Sequence, residues 1–452
     1  MVWTDSIKSV KVGIAREKTA GTIETAPSEY VYTTSEAVLD PVVDQDELRA
    51  MGSRGLTFTV DKPYHITGNI PSWAFPEDNG FGPMLYGAFG SATSATVTTG
   101  CYIHKFSVVD TQVPSFTVWM KTGVYEVTGS NCQVNKLDIK NSKASILDYS
   151  ADIVGSQLAT ASTFGTATYV SGATKVFRSS GAKVYWDDVL STNVEDVSIS
   201  IDNGIDPQDA KSLGVLYADH ILAGDRTVSC DLTIFVESTT EINDFWGSTT
   251  GPILNKTKIP IMIVWESAAI VSTATTVGAT MKVAGAGTVS LTSSGSYSGT
   301  ADYKLFEVKI TEAGASNKMS WRANGGAWAT ATTVTTGATA LSDGVTVEFS
   351  AATGVATSDR WFFYAGKIPY AFIMYMPSVN ITSFTPGSTG NRLNAKVNFT
   401  AEIDGTAGVG FEAEAFLINT ENTAYSSARN IDSLPEELVG FKMPIGRMFY
   451  TE

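Results

Sequence analysis

Cysteine and histidine are scarce in this 452-residue chain, at three residues each. Cys101, Cys132 and Cys230 are odd in number and lack metal-ligand spacing, which excludes a disulfide framework and reads as free thiols from a reducing compartment. His65, His104 and His220 lie far apart and have no cysteine or carboxylate at ligand distance, so they read as structural or surface residues. Charge is also sparse, at 17% of residues, with 31 basic against 46 acidic groups and a net charge of −15. No basic patch exists, and such a surface is a poor partner for DNA or anionic membrane. Long hydrophobic runs are missing too. The longest, Ile259–Trp265, stops at Glu266 and is too short to span a bilayer. The N-terminal residues lack the apolar core of a signal peptide, so the expectation is a soluble protein made without Sec export.

Motifs that carry chemistry are missing as well. The chain has no Gly-x-Ser-x-Gly, Walker loop or dinucleotide fingerprint. Asp44, Asp46 and Glu47 cluster, but without the glycine hinge and downstream acid of a calcium loop, and they read as the solvated start of a short helix. Asn255, Asn380 and Asn398 head glycosylation triplets, which are chance matches where no signal peptide precedes them. No catalytic, cofactor-binding or metal residue is expected, and no cofactor.

What is present is strand-forming. Hydrophobic residues make up 43%, enough for a packed core. The turn pairs Asn79-Gly80, Asn203-Gly204 and Asn324-Gly325 punctuate alternating segments such as Leu56–Val60, Val194–Ile201 and Thr227–Val236. Pro83–Gly90 reads as a short helix with proline in its first turn and glycine at its end, and Thr239–Trp246 as a second. The fold class is all-β with short helices.

Two stretches look like copies of one another. Tyr149-Ser-Ala-Asp-Ile-Val-Gly155 is matched by Phe399-Thr-Ala-Glu-Ile-Asp-Gly405. A Val-Asn pair lies upstream of each, Val134-Asn135 and Val379-Asn380. Asp40-Pro41 leads to Gly52-Ser53-Arg54, as Asp206-Pro207 leads to Gly224-Asp225-Arg226. The expected organisation is an N-terminal arm (1–39), a first copy (40–155), a connector (156–205), a second copy (206–267 and 367–420) and a C-terminal arm (421–452). Repetition without catalytic motifs suggests a building block of a ring or fibre.

The second copy is interrupted. Ile259–Trp265 should pair with Tyr370–Met376, yet residues 268–366 intervene. That insert holds six basic and six acidic residues, so the rest of the chain carries the whole net charge. Its alternating strands around a few tryptophans indicate a small β-sandwich, placed in a solvent-facing loop.

The order of elements resembles the bacteriophage tail tube proteins. The segments that carry the likeness are Gly82–Gly90, Tyr102–Phe106, Pro114–Val118, Tyr125–Gly129 with Val134–Leu137, and Val197–Asn203, and it covers roughly residues 1–265 and 367–420. The insert, through Ser296–Tyr303, Trp321–Gly326 and Asp359–Trp361, resembles the Ig-like β-sandwich modules that decorate phage tails and capsids. The resemblance implies two tandem tail-tube-type folds plus the inserted sandwich, and no enzyme activity. It implies a virion protein, made in the host cytoplasm, that self-assembles into stacked rings forming a hollow tube. A tape-measure protein fills the tube during assembly, tail-end proteins close it, and DNA later passes through the lumen without specific binding and without a membrane partner. Two copies per chain favour a homotrimer ring with pseudo-six-fold symmetry, with a homohexamer as the alternative. A fibre or cell-surface adhesin of β-modules is the competing class.

Overall fold

The computed structural model describes residues 10–48, 58–77, 79–122, 125–160, 164–167, 169, 175–208, 211–212, 214–236, 239–253, 258–389, 392–403 and 410–426. The first half runs β1 (Lys11–Arg16), β2 (Glu29–Val31), β3 (Val38–Val42), β4 (Gln45–Leu48), β5 (Phe58–Asp61), β6 (His65–Trp73), α1 (Phe81–Phe89), β7 (Gly90–Thr98), β8 (Cys101–Val108), β9 (Ser115–Lys121), β10 (Glu126–Ser142), β11 (Asp148–Gly155) and β12 (Gln157–Thr160). The second half runs β13 (Ala182–Trp186), β14 (Val189–Ser191), β15 (Val194–Asp202), β16 (Thr227–Phe235), α2 (Thr240–Trp246) and β17 (Ile259–Val277). The insert adds β18 (Met281–Ala284), β19 (Leu291–Gly295), β20 (Tyr303–Glu312), β21 (Lys318–Ala323), β22 (Thr332–Thr333), β23 (Thr339–Ala340) and β24 (Val345–Phe349). The second half then resumes with β25 (Arg360–Thr389), β26 (Arg392–Ala401) and β27 (Glu414–Asn419). The described residues form an all-β fold with two short α-helices.

Every ladder between these strands is antiparallel. One sheet follows the order β3–β6–β11–β10–β15–β16–β26–β25, using the later parts of β10 and β25. The earlier parts of those two long strands belong to other sheets. Early β10 lies between β9 and β12, with β1 and β2 beyond β9. Early β25 lies between β17 and β27, with β13 and β14 beyond β17 and with β8 and β7 beyond β27. Bulges at Gly129/Cys132 and Val134/Lys136 let β10 leave one sheet for the other.

Alternation puts one face of each strand in a shared core. In β15, Val197, Ile199 and Ile201 are buried, and in β16, Val228, Cys230, Leu232 and Ile234. All seven join one cluster with Leu137, Ile139, Tyr149, Ala151, Val397 and Phe399. Fully burying side chains of this size is worth about 1.5–3 kcal/mol each. Both helices end at a glycine in the left-handed region, Gly90 (φ 90) and Gly247 (φ 74), whose N–H donates to the carbonyl four residues back, of Tyr86 and Asn243.

Several sequence expectations meet a different structure. Gln45–Leu48 is a strand, because it pairs with β5, and not the start of a helix. Lys11–Arg16, expected in an arm, pairs with both β2 and β9, and Val12 and Ile14 are buried. Val194–Asp202, expected in a connector, stands in mid-sheet between β10 and β16. The two Val-Asn pairs are out of register. Tyr149 faces Ile139 and Phe399 faces Ile381, so Val379-Asn380 corresponds to Leu137-Asp138 and not to Val134-Asn135. Asp40-Pro41 lies inside β3, whereas Asp206 makes a turn by accepting the N–H of Gln208. Leu56 and Thr57, Gly52–Arg54, Asn255, residues 404–405, part of the connector and 427–452 lie outside the described residues.

The insert has a core of its own, including Leu291, Phe306, Val308, Met319, Val347, Phe349, Trp361 and Phe363. Its root is a ladder, not a loop. β17 and β25 pair from Ile261↔Met376 and Trp265↔Phe372 out to Val277↔Ala365. A second cluster, with Leu305, Phe362 and Tyr364 from the insert side and Ile103, Tyr185 and Ile373 from the body, packs the two together.

Candidate assembly surface

The eight-stranded sheet buries one face and presents the other, which is mostly polar, with Val38, Trp73 and Phe235 as apolar exceptions. One row of opposed residues runs Pro71, Ser150, Asp138, Ser200, Ser229, Thr400, Asn380. The row beside it runs Asn69, Asp152, Lys136, Asp202, Thr227. On the other flank lie Asp148, Lys140, Ser198, Asp231, Asn398 and Ser383. Small hydroxyl and amide side chains dominate, and they alternate with the core residues because successive side chains in a strand point to opposite faces.

Acids outnumber bases on this face. Asp138, Asp148, Asp152, Asp196, Asp202 and Asp231 are set against Lys136, Lys140 and Lys396. Each lysine is held by a neighbouring carboxylate. Lys136 and Lys140 both approach Asp138, at 3.3 and 3.5 Å, and Lys396 reaches Asp231 at 2.9 Å. Asn69 Nδ2 donates to Ser150 Oγ at 2.7 Å and to Asp152 Oδ1 at 2.6 Å. These three lysines are therefore each paired with an acid, while Arg392, on the same face at the start of β26, lies over the Phe235 ring at 4.9 Å.

Among the described residues the ladders of this sheet end at β3 and at β25. β3 pairs only with β6, and beyond Val379 β25 pairs only with β26 among the described residues. β10 and β15 meet in seven opposed pairs, from Lys136↔Asp202 to Ser142↔Asp196. Lys143 beyond the ladder pairs with Glu195, and its N–H donates to Asp196 Oδ1 at 3.3 Å.

Away from this face, one carboxylate ties the insert to the body. Asp188, in the β13–β14 turn at φ 62, is bonded by Arg360, and Lys309 reaches it at 3.0 Å. Burial alone would raise its carboxyl, but Arg360 and then Lys309 hold it down to about 2. The indole of Trp328 lies over Lys309, Arg322 and Arg360, at 4.1, 4.5 and 5.8 Å. Arg322 makes two 2.8 Å bonds to Glu307, and both residues are about 1% exposed.

The histidines lie apart and do structural work. His104 is buried and contacts Ser94 Oγ at 2.7 Å through Nδ1 and Asn419 Oδ1 at 2.9 Å through Nε2. Burial lowers the pKa of both His104 and His65. His220 sits beside Asp219 at 3.5 Å. Of the clustered acids, Asp44 bonds Lys211 at 3.0 Å and Asp46 bonds Lys62 at 2.6 Å, which fastens the β4–β5 hairpin at its base. The three cysteines are buried, which pushes Cys101 up to about 12 and the other two higher. No group of three metal-ligating side chains converges among the described residues. The polar face itself was not assigned from sequence. Its signal is the alternation in Val194–Asp202 and Thr227–Phe235.

Comparisons with known proteins bear on a sheet with this face and these edges. No curated protein matches the sequence. Two solved structures of infectious bursal disease virus, Gt and Gx strains, are 8% and 9% identical. They cover 74% and 86% of this chain and 75% and 77% of theirs. Their TM-scores of 0.10 and 0.09 carry no argument. Residues 8–301, more than half of the sequence, match the family described as phage tail tube protein, and the chain belongs to that family.

Proposed function

We propose that the polar face lines the bore of the tail tube and that three chains close each ring. As a tail tube protein the chain is a structural component of a virion tail that assembles with itself, and the family is not one of enzymes. The observation that carries the ring reading is the β10–β15 ladder. The two halves follow the same ladder order. β6–β11–β10 corresponds to β16–β26–β25, β1–β9 to β13–β17, and early β10–β12 to early β25–β27. The chain is then two tail-tube-type folds, spanning β1–β12 and β13–β27, with the second interrupted by the Ig-like insert.

If the join inside the chain is repeated between chains, the later part of β25 meets the β3 edge of a neighbour and the sheet closes. Three chains, each with eight strands in this sheet, give a barrel of about 24 strands. At about 4.8 Å between strands and a tilt near 40°, its backbone walls stand roughly 45–50 Å apart. That bore admits a nucleic-acid duplex. An acidic lining suits passage, because each phosphate held by a lysine would slow the DNA. A tape-measure protein would occupy the bore during assembly, and tail-end proteins would close it. The insert is rooted in the β17–β25 ladder, across the core from the polar face, and so would project from the outside of the tube.

Native mass spectrometry of assembled rings, with electron microscopy, tests this. Three chains per ring are expected, with three inserts visible outside. Six chains per ring would overturn the stoichiometry, and isolated rods would favour a fibre.

A further inference from the structure

The two helices hold corresponding positions but are not equally covered. Aligned on their glycine caps, Leu85 of α1 corresponds to Ile242 of α2, and Phe89 to Trp246. Leu85 and Phe89 are fully buried, whereas Ile242 and Trp246 are only partly buried. The cover over α1 comes largely from the other half of the chain. Phe372 packs on Phe81 with ring centroids 5.0 Å apart. Asn203 Nδ2 donates to the Ala88 carbonyl at 3.2 Å. Tyr425 presses on Gly82 so closely that an added Cβ would lie 2.2 Å from its ring. On α2, two contacts come from its own half: Phe245 stacks on Phe384 at 6.0 Å, and Trp186 Nε1 donates to Asp244 at 2.9 Å.

We infer that α2 is a docking surface for a second copy of this chain, completed when the first half of the neighbour packs over it as the second half packs over α1. The inference rests on the equivalence of the two halves. Apolar surface stands exposed on both sides of the expected contact. Beside α2, Ile253 is 46% exposed and donates its N–H to the Trp246 carbonyl, and Leu393 is 53% exposed. Just beyond β3, Val43 is 48% exposed. The occupant is set by continuity. The β25 edge that would pair with the neighbour's β3 also carries Phe384, on which α2 rests.

Hydrogen exchange on the wild-type chain, free and in rings, reads the contact directly. Amides of α2 should slow at least tenfold on ring formation, while those of α1, already covered, should not change. The variant Ile242→Asp should keep the unassembled chain's secondary structure and thermal midpoint and raise the concentration needed for rings at least tenfold. Thr336→Asp, at an exposed residue of the insert, should assemble as wild type. Three chains per ring with unprotected α2, or normal rings from Ile242→Asp, would overturn the docking surface and leave the stoichiometry standing. Six chains per ring with α2 protected would do the reverse.

Discussion

Lys136 of β10 stands directly opposite Asp202 of β15, at the point where the sheet passes from the first half of the chain to the second. On its other side Lys136 faces Asp152 of β11, so a cation sits between two acids in neighbouring strands. Like charges opposed across a ladder destabilise, and opposite charges contribute roughly 0.2–1 kcal/mol. Lys136→Glu should therefore lower stability by about 1 kcal/mol, measured as a shift in the urea midpoint at constant slope. Adding Asp202→Lys should recover part of the loss. A double variant no better than the single one would show that this ladder position is not electrostatically coupled.

Asp188→Asn tests the fastening of the insert. It removes the carboxylate that Arg360 and Lys309 share. Breaking a buried pair while leaving its cations in place costs about 3–5 kcal/mol. The loss should appear as faster proteolysis or hydrogen exchange at the insert's root, with the eight-stranded sheet unchanged. The pH dependence has a definite sign. A carboxyl held down to about 2 contributes stability above its ordinary value near 4, and loses it as pH falls from about 4 through about 2. Docking that loosened at pH 5 would contradict this account.

Much of the fold is legible in the sequence wherever the cause is local. Alternation marks Val194–Ile201 and Thr227–Val236, and the flanking Pro83 and Gly90 mark α1. The pairing of Ile261–Trp265 with Phe372–Met376 is legible because both segments are apolar and each needs a partner strand. Pairing partners are set by tertiary contact and leave no local trace. Nothing in Lys11–Arg16 or Val194–Asp202 says how many neighbours each strand will have. β10 and β25 serve two sheets each, which a period-2 pattern does not distinguish from one long strand. The Val-Asn match fails because two bulges in β10 set the register, and bulges are chosen by packing. Asp188 was invisible because its partners lie 121 and 172 residues away.

Removing the insert should leave rings intact if the cut respects the shared ladder. The N–H of Gly278 donates to the Tyr364 carbonyl at 2.8 Å, just beyond the Val277↔Ala365 pair. Joining Gly278 to Tyr364 by a short turn keeps that ladder and the Tyr364 hydroxyl on Glu266 at 2.9 Å. Cutting at 268 and 366 instead would strip the outer pairs. The shorter deletion still uncovers Tyr185 and Ile373, which pack against Leu305 and Phe362. The expected outcome is normal ring assembly with lower solubility. A soluble, folded deletion that fails to form rings would show that the insert takes part in assembly.

Glu414→Gln tests a carboxylate buried between the chain's two halves. Glu414 stands on β27 opposite Ser107 of β8 and is 3% exposed. Burial pushes its carboxyl up to about 7, with Lys105 at 2.6 Å and Ser107 opposing that rise. The short ion pair favours the charged form, but it does not recover the hydration lost on burial. The unfolded chain releases this proton near pH 4.5 and the folded chain only near 7, so stability falls as pH rises between those values. Glutamine resembles the protonated acid and avoids that loss. The variant should match wild type near pH 4.5 and exceed it at pH 8 by about 1–3 kcal/mol, read from urea unfolding at the two pH values. A difference independent of pH would mean that Glu414 is already charged at the lower pH and that the Lys105 pair outweighs burial.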